Sequence, residues 1–446
     1  MLEGTELLSE ISALNFWGRT QDIGYTRAAH LDDLERLTKA KNKVIAITGI
    51  RRCGKTYLAK QFLKRMIRHG ASAEQTLYVN FEDPVLGQYL QLPLLEKIYD
   101  AFLSTVNRKR GHSFIVLDEV QNIPGWEKWI RIMIEKKEDV TLIVTGSSSK
   151  LLSSELATVL TGRTLELKLY PFSFSEIVRM KGFEGRLEQE IAIHAKDIKP
   201  LLLDYLTYGG FPEVVLEDDE TLKWRILKGY FEGILFRDIV FRHAVKDSYR
   251  AKVLAEISLE RFSSLQSANR LRNELSSIVR TKVSPNQVVD LLNFFDESHI
   301  TFRIPVFSHR IKDRNLYPKK VYCEDSGLVN AVRPKHMETF GRLYENAVAC
   351  ELLREDKEVF YWKDPSGCEA DFLIFEGQRV KDIINVSFDV SDPLTMKREL
   401  RGLEKAMDEF GLKGATVVTA EFEGVKTIHG KKVKFIPLWK WLLGRR

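Results

Sequence analysis

The chain has 446 residues, of which 68 are Lys or Arg and 62 are Asp or Glu, so its formal net charge is +6. Hydrophobic residues make up 44%, which argues against a mainly disordered chain, a collagen, a disulfide scaffold and a multispan membrane protein. This length predicts two or three domains. The small basic excess permits a nucleic-acid partner but does not indicate one, because net charge does not describe a patch.

The cysteines and the first residues indicate the class of protein. The four cysteines are widely spaced, at Cys53, Cys323, Cys350 and Cys368. This spacing indicates neither a zinc site nor a disulfide framework. The start, MLEGTELLSE, carries acids and no apolar run, which is unlike a signal peptide. No run of about 18 apolar residues occurs. We therefore expect a cytoplasmic protein without a membrane partner.

Strand-like and helical runs alternate between about residues 30 and 170. Helical spacing predicts helices over Leu31–Leu37, Tyr57–Ile67 and Trp126–Ile134. Short apolar runs predict strands over Val44–Thr48, Leu77–Phe81, Phe114–Leu117 and Leu142–Val144. This alternation predicts a parallel sheet that is covered by helices on both faces.

The middle of the chain, from about residue 180 to 310, is predicted to be mostly helical. Ser284 is a good N-cap, and Pro285 opens an amphipathic helix that runs to Phe295. His299–Val306 follows as a strand. Helices followed by a strand pair are typical of a winged helix-turn-helix.

A second α/β unit is expected from about residue 320. Its predicted strands are Val359–Trp362, Ala370–Ile374, Ile383–Ser387 and Ala415–Thr419. A charged helix, Thr395–Phe410, lies between the last two strands.

One segment matches the phosphate-loop pattern G-x-x-x-x-G-K-[ST], between a predicted strand and a predicted helix. The motif consists of Gly49, Ile50, Arg51, Arg52, Cys53, Gly54, Lys55 and Thr56, and Tyr57 is the residue that follows it. Glycines let the backbone N–H groups point at phosphate oxygens, and the helix adds its positive end. Lys55 would reach the terminal phosphates, and the Thr56 hydroxyl would bind Mg²⁺. Arg51 and Arg52 either contact phosphate or pack the loop, and we expect packing for at least one.

Two further segments lie at predicted strand ends. Asp118 and Glu119 follow the Phe114–Leu117 strand, where Asp118 would hold Mg²⁺ through water and Glu119 would polarise the attacking water. The alternative, a capped helix start, is less favoured because the phosphate loop precedes these acids. Ser147 is our candidate sensor of the terminal phosphate, with Thr145 as its rival. A simple Gly/Ser turn remains open for that segment.

These segments together resemble the AAA+-type, STAND-like P-loop ATPases of archaea and bacteria, over about residues 20 to 215. The shared motifs are GIRRCGKT, LDEVQNIPGWEKWI, VTGSSSKLL, Thr161-Gly162-Arg163, LYPFSFSE from Leu169 and Tyr208–Pro212. The resemblance implies Mg²⁺-dependent ATP hydrolysis, and a homo-oligomer is expected. No N-K-x-D motif for GTP occurs. Arg163 is either an arginine finger acting in trans or a surface residue, and Tyr208–Pro212 is expected to be a tight turn.

The C-terminal part resembles the domain of unknown function that often follows these ATPase domains. The matching stretches are Val321–Leu328 and Arg342–Asn346. That domain looks like a restriction-endonuclease fold, which implies a site made of Glu345, Asp371, Asn385 and Ser387. Asn385 and Ser387 replace an acid and a Lys, and Ser cannot supply the cation. We therefore expect a nuclease-like fold that does not cleave nucleic acid efficiently. We prefer to interpret Glu345 and Asp371 as hydrogen-bonded structural acids and not as metal ligands.

A DNA contact is expected from the winged-helix segment by analogy with related ATPases. Its basic residues are Arg270, Arg272, Arg280, Lys282, Arg303, Arg310 and Lys312. The recognition helix, Ser284 to Phe294, carries Asp290 and no basic residue. A protein-packing module remains the alternative.

The predicted fold class is α/β, with a P-loop parallel sheet, a helical and winged-helix region and a nuclease-like C-terminal domain. The predicted divisions are 1–180, 181–245, 246–315 and 316–446. The preferred function is an ATPase that requires ATP and Mg²⁺ and switches or remodels a double-stranded DNA or protein partner. A nucleotide-binding scaffold or sensor with little turnover is the alternative, and an ATP-regulated nuclease is disfavoured.

Overall fold

The computed structural model describes residues 4–109, 111–136, 139–147, 160, 162–183, 193–333 and 340–444. The chain divides into two compact units, Met1–Leu169 and Tyr170–Arg446. The sequence interpretation ended the ATPase core at residue 180, and its four-part division stays a prediction. None of the described helices is long and apolar enough to cross a membrane.

The first unit is built on five parallel strands. They are β1 (Val44–Thr48), β2 (Thr76–Asn80), β3 (Ser113–Asp118), β4 (Val140–Gly146) and β5 (Thr164–Lys168). The strand order is β2-β3-β4-β1-β5. Because all neighbours are parallel, the carboxyl ends of β1 to β4 meet at one edge.

Helices cover both faces of this sheet, as the alternation of elements predicts. The described helices are α1 (Gly4–Ile11), α2 (Ala28–Thr38), α3 (Lys55–Arg68), α4 (Pro93–Ala101) and α5 (Trp126–Glu135). Side chains alternate along β1, so Val44 and Ala46 join the apolar cluster under α1, α4 and α5. The helices α2 and α3 contact strands on the other face.

The four strands and three helices predicted for this unit are all observed, with bounds close to the predicted ones. The strand β5 was not predicted. It forms an edge of the sheet, and none of its residues is fully buried, so it carries no apolar run to mark it.

The second unit begins with helices. They are α6 (Phe174–Met180), α7 (Ala195–Tyr208), α8 (Pro212–Leu216) and α9 (Glu220–Gly233), and a π-helical segment, Ile234–Phe241, continues α9. Ser173 caps α6 in a capping box with Glu176. This helical stretch agrees with the helical character that the sequence predicts there.

Next come four helices and a small antiparallel sheet. The elements are α10 (Ser248–Glu260), β6 (Ser264–Gln266), α11 (Ala268–Ile278), α12 (Pro285–Glu297), β7 (Thr301–Ile304), α13 (Ile311–Leu316) and β8 (Lys319–Cys323). The strand order is β6-β8-β7. This is compatible with the winged-helix assignment, which stays a prediction. The predicted helix from Pro285 is observed, whereas the predicted strand His299–Val306 is shorter.

The C-terminal part contains a mixed six-stranded sheet. Its elements are α14 (Ser326–Val332), α15 (Phe340–Arg354), β9 (Glu358–Lys363), β10 (Glu369–Glu376), β11 (Arg379–Val386), α16 (Pro393–Phe410), β12 (Gly414–Thr419), β13 (Gly424–Ile428), β14 (Lys431–Pro437) and α17 (Leu438–Leu442). The strand order is β13-β14-β12-β11-β10-β9. The four predicted strands and the predicted helix α16 are present. Because α16 packs on β10, β11 and β12, one face of the sheet has a helical cover.

Candidate nucleotide-binding site

The loop between β1 and α3 depends on glycine. Gly49 has φ +143° and Gly54 has φ +103°. A Cβ on Gly49 would lie 1.9 Å from the carbonyl oxygen of Leu169, so no larger residue fits there. Gly54 is the N-cap of α3. The loop therefore wraps tightly and leads directly into the positive end of a helix.

Lys55 lies within this loop. Its side chain is only 5% exposed. The Nζ donates to the carbonyl oxygens of Gly49 at 2.9 Å and Ile50 at 3.2 Å. The ammonium group is thus held at the concave side of the loop, where it can exchange carbonyl contacts for phosphate oxygens.

The loop residues Arg51 and Cys53 contact the protein. Arg51 forms an ion pair with Glu82, with Nη2 and Oε2 at 2.9 Å. Cys53 is fully buried, and its carbonyl oxygen accepts a hydrogen bond from Arg27 at 3.4 Å. Arg51 therefore contacts the protein through this ion pair, and its role towards the nucleotide stays a prediction. Arg52 has φ +71°, a backbone conformation in which most L-residues are strained.

Tyr57 lies in the first turn of α3, beside the segment that precedes α2. Its side chain is 46% exposed. Its ring faces Gly24, where a Cβ would lie 2.9 Å from the ring. Gln61 fixes this segment by donating to the carbonyl oxygens of Ile23 and Tyr25 at 2.7 and 2.8 Å. An aromatic face next to the phosphate loop is suitable for stacking on a nucleotide base.

Asp118 is held by three hydroxyl groups. The Thr56 hydroxyl donates to its Oδ2 at 2.7 Å, the Tyr78 hydroxyl donates to the same oxygen at 2.5 Å, and Thr145 donates to Oδ1. Burial raises the pKa of Asp118, the nearby Glu119 raises it further, and the three hydroxyl groups oppose the rise. The structure thus brings together the two residues proposed as metal ligands, Thr56 and Asp118.

Glu119 follows Asp118 in a left-handed backbone conformation, with φ +54° and ψ +46°. This conformation is unfavourable for a residue with a Cβ. Its N–H donates to the Thr145 hydroxyl at 3.0 Å, and its carboxylate accepts from Gln121. The turn directs the chain away from β3 and leaves the Glu119 carboxylate next to Asp118.

The sensor candidates lie at the end of β4. Thr145 and Ser147 are both fully buried. Thr145 contacts Asp118 and Glu119 directly, so it belongs to the acidic end of the site. Ser148 and Ser149 of the same motif, and Thr161, lie outside the described residues.

Sequence reasoning missed Tyr78 and Glu82. Both lie at or just after β2, whose sequence carries no motif of its own. Their position in the sheet is the available signal. Because β2 lies next to β3, polar residues near the carboxyl end of β2 lie beside Asp118.

Comparisons with known proteins agree with this geometry. The family model described as "AAA domain" matches residues 41–178. The protein named "Uncharacterized protein MJ1544" of Methanocaldococcus jannaschii is 32% identical over 435 residues, covering 93% of this chain and 94% of its own length. The chain belongs to the same family as MJ1544, and its residues 41–178 match the AAA-domain model. Its first unit has the P-loop fold of AAA ATPases.

Other similarities extend along the chain. An "Uncharacterized protein" of Haemophilus influenzae is 26% identical over 398 residues, covering 89% of this chain and 96% of its own length. The models "Domain of unknown function (DUF8612)" and "Domain of unknown function (DUF4143)" match residues 199–339 and 340–441. The crystal structure of Cdc6p from Pyrobaculum aerophilum is similar at 12% identity with a TM-score of 0.31, covering 72% of this chain and 96% of that one.

Arg163 of the AAA domain lies far from the phosphate loop of its own chain. Its carbonyl oxygen accepts from the N–H of Val44 at 2.9 Å, at the amino end of β1, whereas the phosphate loop follows the carboxyl end. The side chain is 37% exposed and pairs with Glu135 at 3.0 Å. Within one subunit, Arg163 is therefore at the opposite edge of the sheet from the nucleotide site.

The second unit of this AAA-domain protein brings together three of the four predicted nuclease-like residues. Glu345 and Asp371 both accept hydrogen bonds from the Nζ of Lys320, at 2.9 and 2.7 Å. The side-chain oxygen of Asn385 accepts from the N–H of Asp371 at 3.1 Å, and its amide donates to Glu399 at 2.9 Å.

Lys320 corrects one sequence inference. We expected the site to lack a cation because Ser387 stands where a Lys belongs. The structure supplies the cation from another strand, β8, and Lys320 is only 6% exposed. Ser387 is buried, and its N–H donates to the carbonyl oxygen of Val418 at 2.9 Å. A lysine directly before the apolar residues of β8 was the signal available in the sequence.

Proposed function

We propose that this protein binds ATP with Mg²⁺ at the loop between β1 and α3 and hydrolyses it. The observation that carries the proposal is the hydrogen bond between the Thr56 hydroxyl and the Asp118 carboxylate, 2.7 Å long, beside Lys55. Mg²⁺ prefers oxygen ligands and is commonly shared between carboxylates and phosphates. These two oxygen groups fit that preference.

Each residue has a role that follows from its position. Lys55 moves its ammonium from the loop carbonyls to the terminal phosphates. Thr56 and Asp118 hold the metal, which supplies charge stabilisation for the transferred phosphoryl group. Glu119 accepts the proton of the attacking water, and Ser147, or Thr145 as its rival, senses the terminal phosphate. Tyr57 offers a ring to the base.

The proposed site is completed by a neighbouring subunit. Because Arg163 lies at the edge of the sheet opposite to its own phosphate loop, it can reach a terminal phosphate only in trans. A guanidinium in that role stabilises the transition state by orders of magnitude in rate. A homo-oligomer follows from this assignment.

The proposed use of the ATP cycle is to switch or remodel a partner, with double-stranded DNA as the leading partner and a protein as the alternative. A sensor that binds nucleotide with little turnover is the second candidate. The pairing of Thr56 with Asp118 is compatible with it, because these two residues would have to give up their hydrogen bond to hold Mg²⁺. Turnover with and without duplex DNA separates these functions.

Nucleotide binding gives the direct test of the site. Lys55→Ala removes the ammonium group from the phosphate loop, so we expect the affinity for a fluorescent ATP analogue to fall at least about tenfold. Lys64→Ala, on the same helix and outside the loop, is the control and should bind like the parent. Equal affinity in all three proteins would refute the site.

A further inference from the structure

A large cleft opens in the second unit. Its volume is about 710 Å³, which is within the usual range for binding sites of organic ligands and much more than one ion needs. Residues from α10 to β10 line it, including β6, α11, β8 and α15.

Four arginines line this cleft: Arg261, Arg270, Arg333 and Arg342. We call these residues and the space beside them the arginine cleft. Arg261 pairs with Glu274 at 2.7 Å. Among the described residues, the other three form no ion pair with a carboxylate. Arg342 also donates to the carbonyl oxygen of Glu260 at 3.5 Å, so within the described part of the chain no carboxylate pairing competes with an anion at these three guanidinium groups.

Two of these guanidinium groups lie close enough to repel each other. Partial burial lowers the pKa of Arg333, and the charge of Arg342 lowers it further, while Glu260 opposes the shift. Arg333 lies over the ring of Phe262 at 5.3 Å. Adjacent like charges are unfavourable until an anion lies between them, and guanidinium is the group that best matches a phosphate.

Three of the acids at the cleft form ion pairs with lysines. Lys320 lies between Glu345 and Asp371, so their charges are shared with a buried ammonium group. Burial alone would lower the pKa of Lys320, but the two carboxylates outweigh it and keep the lysine charged. Glu369, also at the cleft, pairs with Lys363. Glu345, Asp371 and Glu369 therefore have basic partners of their own, and Glu260 is the remaining acid that lines the cleft, where it acts on Arg333.

We propose that the arginine cleft binds successive phosphates of a nucleic-acid backbone. The cleft is larger than one phosphate, and its guanidinium groups come from separate elements, which is suitable for a chain of phosphates. This inference rests on the proposal that the protein acts on nucleic acid, and it adds the place where the nucleic acid would bind. It shares Arg270 with the sequence prediction but places the contact at the cleft and not on the α12 helix.

The test is fluorescence anisotropy of the full chain with a random-sequence oligonucleotide of about 20 nucleotides, single-stranded and duplex. Binding is measured without nucleotide and with EDTA, over a series of salt concentrations. The cleft variant is Arg333→Gln with Arg342→Gln. The matched control is Arg272→Gln with Arg280→Gln, which removes two arginines from the predicted winged-helix surface outside the cleft.

We expect the cleft variant to lose at least about tenfold in affinity and to reduce the slope of log K against log salt by about 1 to 2, while the control binds like the parent. The single variant Arg342→Gln, at an exposed position, should reduce the slope by about 1, which guards against misfolding of the double variant. Parental binding by both cleft variants would overturn the proposal. So would a larger loss in the control, or no binding of either oligonucleotide by the parent.

Failure of this proposal is separable from failure of the ATPase proposal. Lys55→Ala removes the ammonium group from the nucleotide site in the first unit and leaves the arginines unchanged. Its nucleotide-free binding to the oligonucleotide should therefore equal that of the parent. A large loss of oligonucleotide binding in Lys55→Ala would place the nucleic-acid contact at the phosphate loop and overturn the assignment to the cleft.

Discussion

Asp118 receives hydrogen bonds from three hydroxyl groups that belong to three different elements. Thr56 comes from α3, Tyr78 from β2 and Thr145 from β4. The acid and Thr56 were predictable because each belongs to a motif with a fixed spacing. Tyr78 was not, because its contact depends on β2 lying next to β3, which no local pattern encodes.

Tyr78 should position Asp118 for the metal. Tyr78→Phe removes one hydroxyl group and keeps the ring, which Lys60 approaches at 4.9 Å from its centroid. A hydrogen bond to a charged group contributes about 1.5 kcal/mol or more, so we expect the Mg²⁺ concentration for half-maximal hydrolysis to rise about tenfold. Metal-free nucleotide affinity should not change.

The control for this prediction is Tyr99→Phe, a buried tyrosine on α4 outside the site. A Mg²⁺ titration of ATP turnover compares the three proteins. An unchanged Mg²⁺ requirement in Tyr78→Phe would mean that the hydroxyl does not position the acid.

At the scale of elements, the turn Tyr208–Pro212 is closed by its two glycines. A Cβ on Gly210 would lie 2.1 Å from the carbonyl oxygen of Phe172, and one on Gly209 would lie 1.8 Å from the Asp325 carboxylate. The N–H of Gly210 donates to that carboxylate at 2.7 Å. The sequence predicted a tight turn here, but not the long-range acid that holds it.

Gly210→Ala should destabilise the second unit by about 2–4 kcal/mol, because the backbone must move to relieve the clash. Gly229→Ala is the matched control: nothing lies within 4 Å of the position where its Cβ would be, and it lies inside the helix α9. That change should stabilise by up to about 1 kcal/mol. Urea unfolding of both variants measures the difference, and equal stabilities would contradict this account of the turn.

Asp325 caps α14 and should make stability depend on pH. Burial raises its pKa to about 6, against the hydrogen bonds from the N–H groups of Gly210 and Gly327. Its pKa is higher in the folded state than the ordinary 3.8, so its contribution to stability is fully present below about pH 4 and is lost as the pH rises through 6.

The variant Asp325→Asn cannot titrate. The difference in unfolding free energy between the parent and this variant should therefore shift in favour of the parent, by up to about 3 kcal/mol, when the pH falls from about 7 to 4. Urea midpoints at several pH values measure it. A difference that is constant with pH would show that Asp325 has an ordinary pKa in the folded chain.

Strands with a continuous apolar run could be predicted from the sequence, and strands without one could not. The buried strands β1, β3 and β4 each show a continuous apolar run, so they were predicted near their true bounds. The strands β5 and β13 have no fully buried residue, so no buried apolar run marks them in the sequence. Likewise, Lys320 was missed because its two carboxylate partners come from α15 and β10, far along the chain.

At the scale of the whole molecule, the proposal that Arg163 acts in trans requires an assembly of subunits. Arg163→Ala and Lys55→Ala should each be inactive, because each loses one half of a shared site. Mixing the two should restore hydrolysis to about a quarter of the parental rate, the share of interfaces that random mixing leaves intact.

The control mixture is Lys55→Ala with Glu119→Gln, whose changes fall on the same side of the shared site. Random mixing then forms no site in which both residues are intact, so no activity should return. A fully active Arg163→Ala protein, or a mixture of Arg163→Ala and Lys55→Ala without recovery, would exclude the role in trans.

The central claim is that the first unit hydrolyses ATP with Glu119 as the base. The most direct measurement is steady-state ATP hydrolysis with Mg²⁺ by the parent and by Glu119→Gln, together with ATP affinity for both. We predict turnover by the parent and a loss of at least about a hundredfold in the variant, with affinity retained. Hydrolysis by Glu119→Gln at the parental rate would contradict the assignment.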